Sequence, residues 1–254
     1  MVTTSARVSS DLSLRLLSVL ILLGAWQAAA VLAESQLLPT PWHVAEGLYR
    51  HATAGRLWFH LGMTLWRVAA SFVIAMALGT ALGILMGQNR RADRLLDIWL
   101  VLGLNVPALV IMILCYVWLG LTEVAAIVAV AANKIPTVAV TMREGARAVD
   151  RELLQVADVL KLSWYRRLTK VYLPQLYPYF MAATRSGLAL IWKIVLVVEL
   201  IGRSNGVGFQ LNTYFQLFDI ASVLAYTAAF IIVVLAIEII AVRPLERRLT
   251  RWRR

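Results

Sequence analysis

Cysteine occurs once in 254 residues, at Cys115, so no intrachain disulfide can form. Histidine occurs three times, and neither a CxxC nor an HExxH spacing is present. The sequence therefore offers no recognisable metal site. A Gly-x-x-x-x-Gly-Lys-Ser/Thr loop is also missing, so the chain has no conventional cradle for ATP. No acid, base and ligand set clusters as a membrane enzyme would require, and no catalytic residue is assigned. Internal repeats with paired broken helices, the mark of many secondary transporters, are absent too. Acidic residues are scarce: 14 against 25 basic ones, a formal charge of +11. On a soluble chain that excess would suggest nucleic acid. Here 61% of residues are hydrophobic and the mean hydropathy is +0.75. Such a chain is a membrane protein, and its basic residues belong in cytoplasmic loops; no nucleic-acid partner is expected.

A helix crossing the hydrocarbon needs about 20 mostly apolar residues. Six segments qualify: 14–33, 68–87, 98–119, 124–142, 180–201 and 221–242. The expectation is an all-α protein of six transmembrane helices in one membrane domain over 1–254. The first segment, preceded by Arg7 and flanked by Arg15, shares features with a signal peptide. Its apolar run of 18 residues from Leu16 is long for one and favours a retained helix. Arg90, Arg91 and Arg94, seven bases from Arg143 to Lys170, and six arginines from Arg243 onward fall on one side. Arg50, Arg56 and Arg203 fall on the other, with Arg67 at a boundary. That asymmetry places both termini in the cytoplasm.

Outside, Trp42, Tyr49, Trp58 and Phe59 alternate with charged residues, as in an interfacial segment. Ala75, Gly79, Gly83 and Gly87 make a small-residue face suited to close helix packing within the chain. Asn105 and Pro107 interrupt the third span, and Asn133, Lys134 and Pro136 the fourth. Polar groups at membrane depth are costly and often functional. Asn105, Asn133, Lys134, Lys193 and Glu199 are therefore candidate lining of a translocation path. Pairing is the competing reading: Lys193 with Glu199, and Arg185 with Glu238. The segment 202–219 is rich in glycine, asparagine and aromatics and could fold back into the outer mouth of the path.

The cytoplasmic loop between the fourth and fifth spans reads as an amphipathic helical hairpin. Asp150 can cap its first helix, with Leu153, Val156, Ala157 and Leu160 on one face. Ser163 can cap the second, and Pro174 is expected to end it. Such a hairpin either lies on lipid or docks on a soluble partner.

Gln155-Val156-Ala157, Lys161 and Val171-Tyr172-Leu173-Pro174 follow the order of the EAA motif. In this the chain resembles the permease subunits of bacterial ABC importers. Leu37-Leu38-Pro39-Thr40-Pro41, Thr64-Leu65-Trp66-Arg67-Val68, Glu152-Leu153-Leu154, and Glu199-Leu200-Ile201-Gly202 before Gly206-Val207-Gly208 extend the likeness to the nitrate, sulfonate and taurine permeases. The resemblance implies a hairpin over 150–174 that couples to an ATPase through Gln155, Val156, Ala157, Leu160, Lys161, Leu162 and Pro174. It implies two permease copies as a homodimer, two ABC ATPase subunits that carry ATP and magnesium, and a periplasmic or lipid-anchored solute-binding protein. It also implies residence in a bacterial inner membrane, surrounded by lipid, with no cofactor in this chain. Two positions depart from the motif: Gln155 replaces the usual glutamate, and Lys161 the usual glycine. A lysine in a left-handed turn costs roughly 1 kcal/mol, unless the turn is built differently.

Overall fold

The computed structural model describes residues 3–35 and 37–244. The side chains of Arg7 and Arg15, and the arginines beyond Arg243, lie outside what is described. Among the described residues all regular structure is helical.

Helix α1 (Thr3–Ala33) carries an apolar stretch over Leu17–Ala33. Helix α2 (Pro41–Thr53) is amphipathic, and its start is dictated locally. Thr40 accepts the His43 N–H, and Pro41 occupies the first turn, where its missing donor costs nothing. Trp42 and Tyr49 are exposed while Gly47 packs on Ala225, as expected of an interfacial segment. His51 hydrogen-bonds Ser222 at 2.9 Å. Burial and then the neighbouring Arg50 lower its pKa, so the ring is neutral at pH 7.

Among the described residues four helical stretches are long and apolar enough to cross a membrane, and a bent pair makes a fifth candidate. Helix α3 (Arg56–Gln88) begins earlier than the apolar run suggests, absorbing Trp58 and Phe59. Its glycine face meets helix α6 (Glu123–Arg147) directly: a Cβ on Gly83 would lie 2.5 Å from the Ala139 carbonyl oxygen. The small residues thus serve packing within the chain.

The third expected span is two helices, α4 (Arg90–Asn105) and α5 (Ala108–Leu119), bent by 99°. Pro107 has no N–H and holds Val106 extended. The Asn105 side-chain amide donates back to the Val101 carbonyl, one turn earlier, at 2.7 Å.

The expected interruption of the fourth span is not there. Helix α6 runs unbroken through Asn133, Lys134 and Pro136. Neighbours hold it: Pro136 packs where Gly103 leaves room, and Val138 and Ala139 are fully buried. Packing on both sides outweighs one lost backbone hydrogen bond.

Nor does Pro174 end a helix. Helices α8 (Trp164–Arg167) and α9 (Leu173–Gly202) join through a π-helical turn, Leu168–Tyr172, into one rod of 39 residues. The Leu173 N–H reaches back to the Leu168 carbonyl, and this wider turn accommodates the proline beside it. The rod is about 58 Å long and is helical throughout, from the hairpin to Gly202. Helices α10 (Val207–Gln216) and α11 (Ile220–Ile237) complete the fold; a π-helical turn, Glu238–Val242, follows α11.

Candidate functional site

At the end opposite the hairpin, four helices converge on one buried ion-pair network. Arg67 on α3 is 1% exposed and Glu199 on α9 is fully buried. The Arg67 guanidinium donates to Glu199 at 2.6 Å, to Glu123 at 2.8 and 2.9 Å, and to the Asn205 carbonyl at 2.9 Å. Arg203 reaches Glu123 from the far side at 2.8 Å. Glu199 in turn accepts the Thr64 hydroxyl and the Gly208 N–H, each at 2.9 Å. The carboxylate thereby caps α10, whose positive N-terminus favours a negative charge. Next to it, Gly206 donates to His60 and Val207 to Thr64.

This explains the Gly206-Val207-Gly208 signature. Gly206 has φ +109°, and a Cβ there would lie 2.3 Å from the Glu199 carboxyl carbon. A Cβ on Gly208 would lie 2.1 Å from the Leu196 carbonyl oxygen. Only glycine lets α10 seat on Glu199. The segment 202–219 is thus not an open loop: α10 folds back and packs on α3, α9 and α11.

At the other end stands the hairpin. Asp150 caps α7 (Arg151–Val159) by accepting from Glu152 and Leu153, as its sequence suggests. Lys161 adopts φ +48°, the left-handed turn conformation. The Leu162 N–H bonds the Ala157 carbonyl and the Lys161 N–H that of Asp158, the paired bonds of a Schellman turn. The lysine therefore does what the motif's glycine does, with strain. Lys161→Gly is expected to stabilise the hairpin by up to about 1 kcal/mol, seen as slower amide exchange in α7. Faster exchange would show that the turn is not left-handed. Ser163 opens α8 but makes no side-chain cap bond.

The hairpin's apolar face is unused within the chain. Ala157 alone of the α7 stripe is buried; Val156 is 52% exposed, Leu160 65% and Trp164 74%. Gln155 and Lys161 are exposed, and Leu162 and Pro174 half-buried.

The candidate path residues do not form one cluster. Asn105 is exposed at the α4–α5 bend, and Asn133 is half-buried. Lys193 is exposed on a face of α9 that also carries Ser186 and Ala189. Lys134 is 2% exposed, and its Nζ has no hydrogen-bond partner among the described residues. It lies against Gly187 of α9, where a Cβ would come within 3.2 Å of its Cε. Glu199 belongs to the Arg67 network rather than to an open surface, and it pairs with Arg67, not Lys193. Arg185 stands 3.9 Å from Glu238, as the pairing reading has it. The residue sequence reasoning missed is Arg67. Its signal was an unexplained charge eleven residues inside an apolar helix.

Among the described residues no group of three or more His, Cys, Asp or Glu could hold a metal ion. The fold defines an all-helical, multi-pass membrane protein. A solved structure, the "crystal structure of an amino acid ABC transporter with histidines", matches it with a TM-score of 0.63. The match covers 79% of this chain and 97% of that one at 19% identity, a likeness of fold. The particular family follows from sequence. The chain belongs to the binding-protein-dependent transport system inner membrane components, whose family description matches residues 79–251. It is 32% identical to the putative aliphatic sulfonates transport permease protein SsuC of Bacillus subtilis, over 92% of this chain and 85% of that protein. It is 29% identical to the taurine transport system permease protein TauC of Escherichia coli, over 96% and 91%. The chain is accordingly an ABC importer permease, a transport subunit rather than an enzyme.

Proposed function

We propose that two copies of this chain form the membrane path of an ATP-driven importer in a bacterial inner membrane, with the hairpin and both termini in the cytoplasm. ATP and magnesium belong to two separate ATPase subunits, and a periplasmic or lipid-anchored binding protein delivers the solute. The observation that carries this reading is the hairpin. Its apolar residues Val156, Leu160 and Trp164 stand exposed at the end of a rod continuous with α9. A partner that closes on this tip acts on a membrane helix through continuous helical structure. Tagged full-length chain should co-purify an ABC ATPase from membranes of its own host. That capture requires hairpin and ATPase on the same side, so it tests the orientation as well. Recovery of the chain with no ATPase would refute the proposal.

The solute is a small anion of the sulfonate, taurine or nitrate kind. The names of SsuC and TauC support this, and so do two lysines at membrane depth. Asn105, Asn133 and Lys193, each open or half-open to the subunit surface, line the path on this reading. Lys134 sits inside one subunit, where an ammonium costs about 2.5–3.5 kcal/mol on insertion scales. That cost persists because the group acts on the passing anion during the cycle. Lys134→Met and Lys193→Met should each lower uptake while the complex still assembles and hydrolyses ATP. Normal uptake by both variants would remove the lysines from the mechanism.

A further inference from the structure

The hairpin encloses a second feature that coupling does not use. A cavity of about 920 Å³ opens between its root and the adjoining ends of α3, α4 and α6. Five arginines line it against one acid, Asp93. Two of the five are neutralised: Arg147 pairs with Asp93 and Arg167 with Asp158, each at 2.6 Å. Arg90, Arg94 and Arg151 have no ion-pair partner among the described residues. Arg90 and Arg151 are moreover the first residues of α4 and α7. A cation there opposes the helix dipole, which favours negative charge at that end. Two helix N-termini and three unpaired guanidinium groups thus border one cavity. Its wall also holds Tyr172, which is 8% exposed.

We infer that this cavity binds the phosphate of an anionic phospholipid headgroup. Arginine forks suit phosphate oxygens. A lipid fits better than a soluble phosphate because apolar surface adjoins the charge. Leu154 and Leu168 stand in the wall. The site lies where the spans end and headgroups begin. Basic pockets between helices at that level recognise anionic lipid. The bound lipid would wedge the hairpin root against α4. This inference does not depend on the transport reading, since retention of lipid requires neither ATPase nor solute.

The test uses the full chain in mixed phosphatidylcholine and phosphatidylglycerol nanodiscs, released for native mass spectrometry. Wild type should retain phosphatidylglycerol in preference to phosphatidylcholine. Each arginine near an anionic surface contributes about fivefold, so Arg90→Gln, Arg94→Gln and Arg151→Gln together should weaken retention by roughly a hundredfold. A control variant, Arg91→Gln with Lys170→Gln, removes nearby charges that do not line the cavity and should retain the lipid. Equal loss in the control would mean general surface attraction and overturn the site. Displacement of the lipid by millimolar inorganic phosphate alone would overturn the lipid assignment in favour of a soluble anion. If the triple variant proves misfolded by circular dichroism, Arg94→Gln alone offers a milder second test. It should lower retention severalfold, and unchanged retention would count against the site.

Discussion

Arg67→Met is expected to destabilise the folded chain by about 3–5 kcal/mol, the range for breaking a buried ion pair from one side. The reason lies in what remains. Glu199 is fully buried, so without the guanidinium its charge is stranded in a low-dielectric interior. Glu123 is 31% exposed and can be rehydrated, so the loss there is smaller. Glu199→Gln alone should cost less. The amide has no charge to strand, and its oxygen can still accept the Gly208 N–H that Glu199 accepts now. The combination Arg67→Met with Glu199→Gln should therefore be more stable than Arg67→Met alone. That rescue separates charge burial from simple loss of packing. Thermal aggregation of the purified chain in detergent, compared across the three variants, reads it directly. A double variant no better than Arg67→Met would mean that hydrogen-bonding geometry, not charge, dominates the network.

The contrast between the two ends of the molecule shows what a sequence can convey. The break at Pro107 and the Asp150 cap were legible because each depends on a few adjacent residues, whereas the left-handed residue at position 161 was suggested only by the likeness to a motif with glycine there. Hydropathy located the spans, although the third proved to be a bent pair and the first is described as apolar over Leu17–Ala33 only. The Arg67–Glu199 pair joins residues 132 apart, and its existence depends on how α3 and α9 are rotated about their axes. No local pattern fixes that rotation. Nearness in sequence suggested Lys193 for Glu199, but six residues along a helix place the two on different faces. The prolines misled for a related reason. Pro136 and Pro174 carry a local penalty, and the tertiary neighbours and the π-helical turn that absorb it are invisible in a single-sequence reading.

Replacing Leu160, Lys161 and Leu162 together with aspartate is expected to abolish ATP-driven uptake while leaving the chain in the membrane. The three residues form the turn between α7 and α8, so they are the part of the hairpin farthest from the spans. Leu160 is 65% exposed and contributes little to the fold of the chain itself. On the proposed reading its apolar surface is covered only when the ATPase docks. Burying a Leu side chain is worth about 1.5–3 kcal/mol, and an unpaired carboxylate in the same place costs more than that gain. Three such changes at one small contact exceed what a transient interface can spare. The substitutions would also reverse the sign of Lys161. To keep turn strain out of the comparison, Leu160→Asp with Leu162→Asp should be measured beside the triple variant, with Lys161 retained. Both should reach wild-type levels in the membrane and fail to co-purify the ATPase. The Lys161→Gly variant, which relaxes the turn and leaves the apolar surface in place, should transport normally. If the triple variant still imports solute at the wild-type rate, the tip is not the coupling contact, and the exposed face of α7 and α8 rests on lipid instead.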